Sequence, residues 1–166
     1  MQLYNGAVSY WPGGDYESWW GTAYAAHFLY EAKKAGFEVN DNILNKMYGY
    51  LQTKLRTKET ELYYYQDENG IARSRTIAKK EIPYSIFVLA LNGRYEKTSM
   101  NYYKANTGDL SLDGRYLLSC AYALSGNMAA FKDLLPASFT GEVSKRAFGG
   151  SFYSPVRDEA LALYVL

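Results

Sequence analysis

The sequence has one cysteine, Cys120, and one histidine, His27. A single thiol excludes an internal disulfide and any multi-cysteine metal site, and a single imidazole leaves little for zinc or triad chemistry. Net charge is almost absent: 18 Lys plus Arg oppose 17 Asp plus Glu, a formal +1. Without a basic excess there is no electrostatic footprint for nucleic acid. No stretch approaches the roughly 18 consecutive apolar residues of a membrane-crossing helix, and no basic region followed by an apolar one opens the chain. Direct membrane insertion is therefore not expected, and an export signal, if the parent protein has one, is expected outside this chain. The double glycines Gly13-Gly14 and Gly149-Gly150 lack the G-x-x-x-x-G-K order of a phosphate loop, and there is no Asp-rich diphosphate motif. No cofactor and no metal are expected.

What is present is aromatic. All three tryptophans fall within Tyr10-Trp-Pro-Gly-Gly-Asp-Tyr-Glu-Ser-Trp-Trp-Gly-Thr-Ala-Tyr24, and the chain holds 18 tyrosines. Pro12, Gly13 and Gly14 are turn chemistry, and Ser18 or Glu17 can cap a helix carrying Trp19, Trp20 and the small residues Gly21, Thr22 and Ala23. Large rings beside small residues read first as close packing of a loop on a helix. The functional reading of Tyr10, Trp11, Trp19 and Trp20 is an exposed aromatic platform for a sugar, a lipid or a partner protein.

At 166 residues and 48% hydrophobic composition the chain has the size of one domain, residues 1–166, with material for a core. The periodicity predicts an all-α chain of helical hairpins. Met1–Trp11 reads as extended or looped. A helix follows over about Ser18–Ala35, with Ala25, Phe28, Leu29 and Ala32 as its apolar stripe and Gly36 as its stop. Asp41 can cap a second helix striped by Leu44, Met47, Leu51 and Leu55, and the short link makes the two an antiparallel hairpin. Residues 61–75, tyrosine-rich and carrying Asn69-Gly70, read as a small β-hairpin excursion with a type I′ turn. Further helices are expected from Ile82-Pro83 to Asn92-Gly93, over Thr98–Lys104, from about Leu112 to Ser125-Gly126, and over Met128–Leu135 before Pro136. Val88–Gly93 and Ala121–Gly126 share one order of residue types from position 88 to position 121, a weak repeat that points to a solenoid or an α/α toroid. Residues 140–153 read as a glycine-rich loop with a turn at Gly149-Gly150. Pro155 opens a last helix whose uncapped end suggests an excised piece of a longer protein.

Chemical constellations are sparse. Asp15 and Glu17 beside the aromatic loop have the residue types of an acid/base pair, although acidic residues ahead of a helix also favour its positive end. The same dipole argument covers Asp158 and Glu159, with Arg157 available for a local pair. His27, one position from the apolar stripe, reads as a semi-buried hydrogen-bonding residue, and Cys120 as a buried inert thiol. No catalytic residue is assigned.

The aromatic stretch carries a resemblance. Asn5, Gly6, Tyr10, Trp11, Trp20, Thr22, Ala23 and Tyr24, followed by an apolar helix and Ala-Gly-Phe, resemble the thioester domain of the bacterial alpha-2-macroglobulin family, related to complement proteins. The closing Ser154-Pro-Val-Arg-Asp-Glu-Ala-Leu-Ala-Leu is similar to a late hairpin helix of those members. The resemblance implies part of an α/α toroid, or terpenoid cyclase-like fold, within a large exported protease trap. That endopeptidase inhibitor is not an enzyme and lies in the periplasm or cell envelope. Its partners would be proteases, met through the full-length parent, and other domains of the same chain. In the family a bait region is cleaved and an internal Cys-Gln thioester can couple to the attacker. The reactive motif Cys-x-Glu-Gln is absent, because Cys120 is followed by Ala-Tyr-Ala; the family order places it ahead of the aromatic turn. Trp11, Trp20 and Thr22 carry over only as packing residues. Two other readings stay open: a toroid enzyme acting on glycans or isoprenoids, with Asp15, Glu17 and the tryptophans lining its cavity, and an open interaction scaffold of the repeat type.

Overall fold

The computed structural model describes residues 1–145 and 154–166. The chain forms two compact units, Met1–Thr57 and Lys58–Leu166.

The first unit is a helical hairpin with an N-terminal segment that folds back on itself. Helix α1, Trp19–Lys34, starts where Ser18 caps it, its hydroxyl accepting from the Gly21 N–H at 2.9 Å. Helix α2, Asp41–Leu55, is capped by Asn40, not by the expected Asp41, which becomes the first helical residue. The α2 stripe is as read from the sequence, with Leu44, Met47, Leu51 and Leu55 all buried. The α1 stripe is rotated from the expected one: Trp19, Thr22, Ala23 and Ala26 are buried, while Phe28 stays 63% exposed. Trp19 and the small residues set the face, because the small side chains let neighbouring backbone close in where Phe28 would hold it off.

The N-terminal segment is neither helix nor sheet. Val8 bridges to both Gln2 and Ser18, and the Ser9 N–H donates to the Met1 carbonyl at 2.9 Å. Gly6 makes this possible: its φ is +92°, and a Cβ added there would stand 2.1 Å from the Lys46 carbonyl oxygen on α2. No other residue combines that conformation with that approach.

The second unit holds the β-excursion and the remaining helices. Strands β1, Thr60–Gln66, and β2, Ala72–Ala78, pair antiparallel with Tyr63 opposite Arg75, and the two-residue β3, Val143–Ser144, adds to the other edge in the order β2-β1-β3. The excursion spans 60–78, four residues longer than expected, and its turn differs. Gly70 has positive φ but Asn69 does not, so the type I′ turn is replaced by a five-residue loop. The Asp67 carboxylate organises that loop, accepting from the N–H groups of Asn69 and Ile71 at 3.0 and 2.9 Å.

Helix α3, Glu81–Leu91, is buried over the whole run Ile82–Ala90. Around it lie α4, Lys97–Ala105, a 3-10 turn at Thr107–Asp109, α5, Leu112–Leu124, α6, Met128–Leu134, and α7, Pro155–Tyr164. These helices fall where the sequence places them, within a residue or two at their ends. Helix α5 packs against α3, α4, α6 and α7. The architecture is thus helical hairpins with one small antiparallel sheet. The expected turn at Gly149-Gly150 lies outside the described residues.

Candidate functional site

The aromatic stretch builds a rigid corner in the first unit. The Gly14 N–H donates to the Trp11 carbonyl at 3.1 Å, with Pro12 and the positive-φ Gly13 between them, the residue pattern of a type II turn. Behind the turn Thr22 is fully buried and works in both directions, accepting from the Val8 N–H at 2.8 Å and donating to the Ser18 carbonyl at 2.6 Å. Glu17 is spent on the same corner: Asn5 donates its amide to one carboxylate oxygen, and the Tyr50 hydroxyl donates to the other at 3.2 Å. Asp15 is exposed, and none of the described hydrogen bonds or ion pairs joins it to Glu17.

The three tryptophans divide their roles. Trp19 is buried, with the Lys54 ammonium 4.9 Å above its ring. Trp20 is half-buried in a stack, 6.5 Å from Tyr10 and 5.3 Å from Tyr24 between ring centroids. Trp11 is 77% exposed, which corrects its expected packing role: the turn swings its side chain outward and leaves the packing to Trp19 and Trp20. Tyr10 and Tyr24 are also more than half exposed, so this corner presents an aromatic face.

The strongest electrostatic site lies in the second unit, and sequence reading passed over its centre. Lys80, the residue ahead of α3, is 2% exposed, and its ammonium sits 2.9 Å from Asp158 Oδ2 on α7 and 3.2 Å from Asp113 Oδ1 on α5. The Ser144 hydroxyl of β3 donates to Asp158 Oδ2 at 2.6 Å, and the buried Tyr63 ring of β1 lies 5.6 Å from the ammonium. Burial works against the lysine's charge, but Asp113 and Asp158 outweigh it and raise its pKa. Burial and the negative charge of Asp113 push Asp158 up to about 6, against the pull of Lys80 and Ser144. Tyr63 is also driven up, by burial first and then by Glu142, Asp113 and Asp158, so it stays a neutral phenol. Lys80, Asp113, Ser144 and Asp158 are all buried. Its arrangement clasps α3, α5, α7 and the sheet together.

A second clasp uses Arg75. Its guanidinium donates to the Gly108 carbonyl, to the Leu110 carbonyl at 2.9 Å and to the Glu142 carboxylate, which in turn accepts from the Leu112 N–H at 2.9 Å. Glu142 thereby caps α5 from 30 residues away, because Ser111 makes no side-chain capping bond. Beside these clasps a groove of about 450 Å³ opens between the sheet and α7, lined by Tyr64, Tyr65, Arg73, Val143, Lys145 and Pro155 among others.

The remaining candidates are structural. His27 is half-buried and its pKa is lowered by burial, with Glu31 opposing. Cys120 is half-buried and its thiol is pushed up to about 11 by burial, which leaves it protonated and inert. Asp158, read as a dipole partner of its own helix, serves the buried cluster instead, while Glu159 is exposed. Among the described residues no group of three or more acidic, His or Cys side chains is placed to hold a metal ion.

No family profile matches the sequence, and a search of curated proteins finds no match either. Solved structures do match. The native conformation of Escherichia coli alpha-2-macroglobulin aligns over 99% of this chain with a TM-score of 0.73 and 22% identity, and the trypsin-activated form from the same organism over 99% with 0.74 and 22%. Salmonella alpha-2-macroglobulin reacted with methylamine aligns over 99% with 0.74 and 21% identity. The fold is alpha-2-macroglobulin-like. This chain spans only 10 to 11% of the length of those three proteins. The alpha-2-macroglobulin-like fold accounts for helical hairpins and sheet alike, since the alignment takes in nearly every residue. No helix among the described residues is long and apolar enough to cross a membrane.

Proposed function

We propose that this chain is a structural region of a bacterial alpha-2-macroglobulin-like protease trap, belonging to the α/α-toroid thioester domain but lacking the thioester motif, and that it is not itself an enzyme. The observation that carries the reading is the alignment of 99% of the chain, at TM-scores of 0.73 to 0.74, onto structures that include a native and a trypsin-activated form. The aromatic turn and the Trp20-to-Tyr24 helix start support it from the sequence side. In this reading the residues above act as scaffold: the Thr22 corner and the Lys80 clasp hold helices, and none of them touches a reacting group. Proteases are met by the full-length parent, other domains of the parent flank this one, and the parent works in the periplasm or at the cell envelope.

The test is made on the full-length parent. Incubated with trypsin, it should be cut at few sites, after which the enzyme should still hydrolyse a small peptide substrate while losing activity toward a large protein substrate. Trypsin that keeps full activity toward both substrates, with the parent degraded to small fragments, would overturn the reading.

A further inference from the structure

The buried cluster around Lys80 has more acid than base in direct contact. One ammonium serves two carboxylates, and Asp158 spends a single oxygen on its partners, Oδ2 accepting from both Lys80 and Ser144. The other oxygen, Oδ1, is buried and has no hydrogen-bond partner among the described residues. A buried carboxylate oxygen without a donor is costly, and a proton placed on it removes the charge that makes it so.

We propose that Asp158 Oδ1 is a proton-binding site and that mild acidification tightens the docking of α7, by converting a 1:2 ammonium–carboxylate cluster into a neutral Lys80–Asp113 pair beside a protonated Asp158.

The groups around Asp158 support this. Asp158 meets Lys80 from the head of α3, Asp113 from α5 and Ser144 from β3, and it acts on Tyr63 of β1 and on its own neighbour Arg157 of α7; Glu81 and Tyr84 in turn act on Arg157, and Glu142 on Tyr63. Arg157 and Lys80 oppose proton uptake. Asp113 and burial favour it and prevail, since the Asp158 carboxyl is pushed up to about 6. The sign follows: a carboxyl whose folded pKa exceeds its unfolded value takes up its proton more readily when folded. It therefore adds stability as pH falls from above 6 toward the ordinary aspartate range. Below that range both states are protonated and nothing more is gained. Most acid responses of carboxylates run the other way, because salt-bridged groups are usually held low.

Two measurements test this on the whole chain. The Asp158 carboxyl carbon, followed by NMR from pH 7.5 to 3, should titrate with its midpoint near 6, and Asp113→Asn should move that midpoint down. Amide exchange of residues 155–164, corrected for the intrinsic pH dependence of exchange, should slow by about fourfold between pH 7.5 and 5.5. Asp158→Asn, which mimics the protonated form, should flatten that change and hold α7 at pH 7.5 as firmly as acid does in the unaltered chain. A midpoint near the ordinary aspartate value, or exchange in α7 that speeds up on acidification, overturns the proposal; should Asp158→Asn fail to fold, the carboxyl titration decides alone.

Discussion

At the scale of single residues, two positions in the N-terminal corner carry more than their size suggests. Gly6 is held at φ +92° against a backbone carbonyl that cannot rotate away, so Gly6→Ala must displace α2 as well as strain itself. It should cost the first unit about 2–3 kcal/mol. Thr22→Val keeps the shape but strips the acceptor from the Val8 N–H, and should cost about 1–3 kcal/mol, the penalty of a buried donor left unmade. Trp11→Ala, at an exposed aromatic of the same corner, should change stability by no more than about 0.5 kcal/mol because its ring faces solvent. Thermal and urea unfolding followed by circular dichroism check all three. A large loss at Trp11 with little at Thr22 would reverse the assignment of roles.

At the scale of elements, the second unit is joined by buried charge as well as by apolar burial. Removing the lysine while keeping its volume, Lys80→Met, takes away the ammonium that touches both Asp113 and Asp158 and leaves only the more distant charge of Arg157. Breaking a buried pair in this way should cost about 3–5 kcal/mol, as read by urea unfolding at pH 7.5, and the loss should shrink as pH falls and Asp158 takes up its proton. A loss independent of pH would mean that the ammonium does not hold these carboxylates. The helices themselves were legible in the sequence because each has a local cause: Ser18 caps α1, Gly36, Gly93 and Gly126 follow helix ends with positive φ, and Leu44, Met47, Leu51 and Leu55 repeat at helical spacing. The β1–β2 pair was legible as a tyrosine-rich run around Asn69-Gly70, but not its loop, which depends on the particular carboxylate of Asp67. Strand β3 and both clasps were not legible at all. A strand of two residues has no periodicity to read, and the Lys80–Asp158 and Arg75–Glu142 contacts join residues 78 and 67 positions apart, a separation that local patterning cannot carry. In the sequence Lys80 is one more charge ahead of an apolar helix.

At the scale of the whole molecule, the two units differ in how they answer acid. In the first, burial holds the His27 imidazole below its ordinary pKa of 6.5, so the folded form favours the neutral ring. That stability is present above 6.5 and is lost as pH falls through that value toward the lowered one, because the unfolded chain takes up the proton first. In the second, Asp158 acts in the opposite sense over nearly the same interval. Unfolding monitored separately in each unit between pH 7.5 and 5.5 should show the first weakening and the second holding or gaining, and His27→Gln should remove the weakening. Parallel responses in both units would contradict the assignment. The alpha-2-macroglobulin-like fold could be anticipated only through the aromatic turn of the first unit and the closing helix of the second, since composition and periodicity alone go no further than helical hairpins.

The placement of the tryptophans at positions 11, 19 and 20 also makes that comparison optically simple. All three belong to Met1–Thr57, and Lys58–Leu166 contains tyrosine but no tryptophan. Fluorescence excited at the red edge of indole absorption therefore reports on the first unit alone, while the second is silent at that wavelength. Within the signal, the ring at position 11 should emit as a water-exposed indole open to collisional quenchers, and the one at position 19, beneath the Lys54 ammonium, as a shielded one. The chain thus carries an intrinsic label that distinguishes an event at its N-terminal corner from an event anywhere in its second unit, with no dye attached.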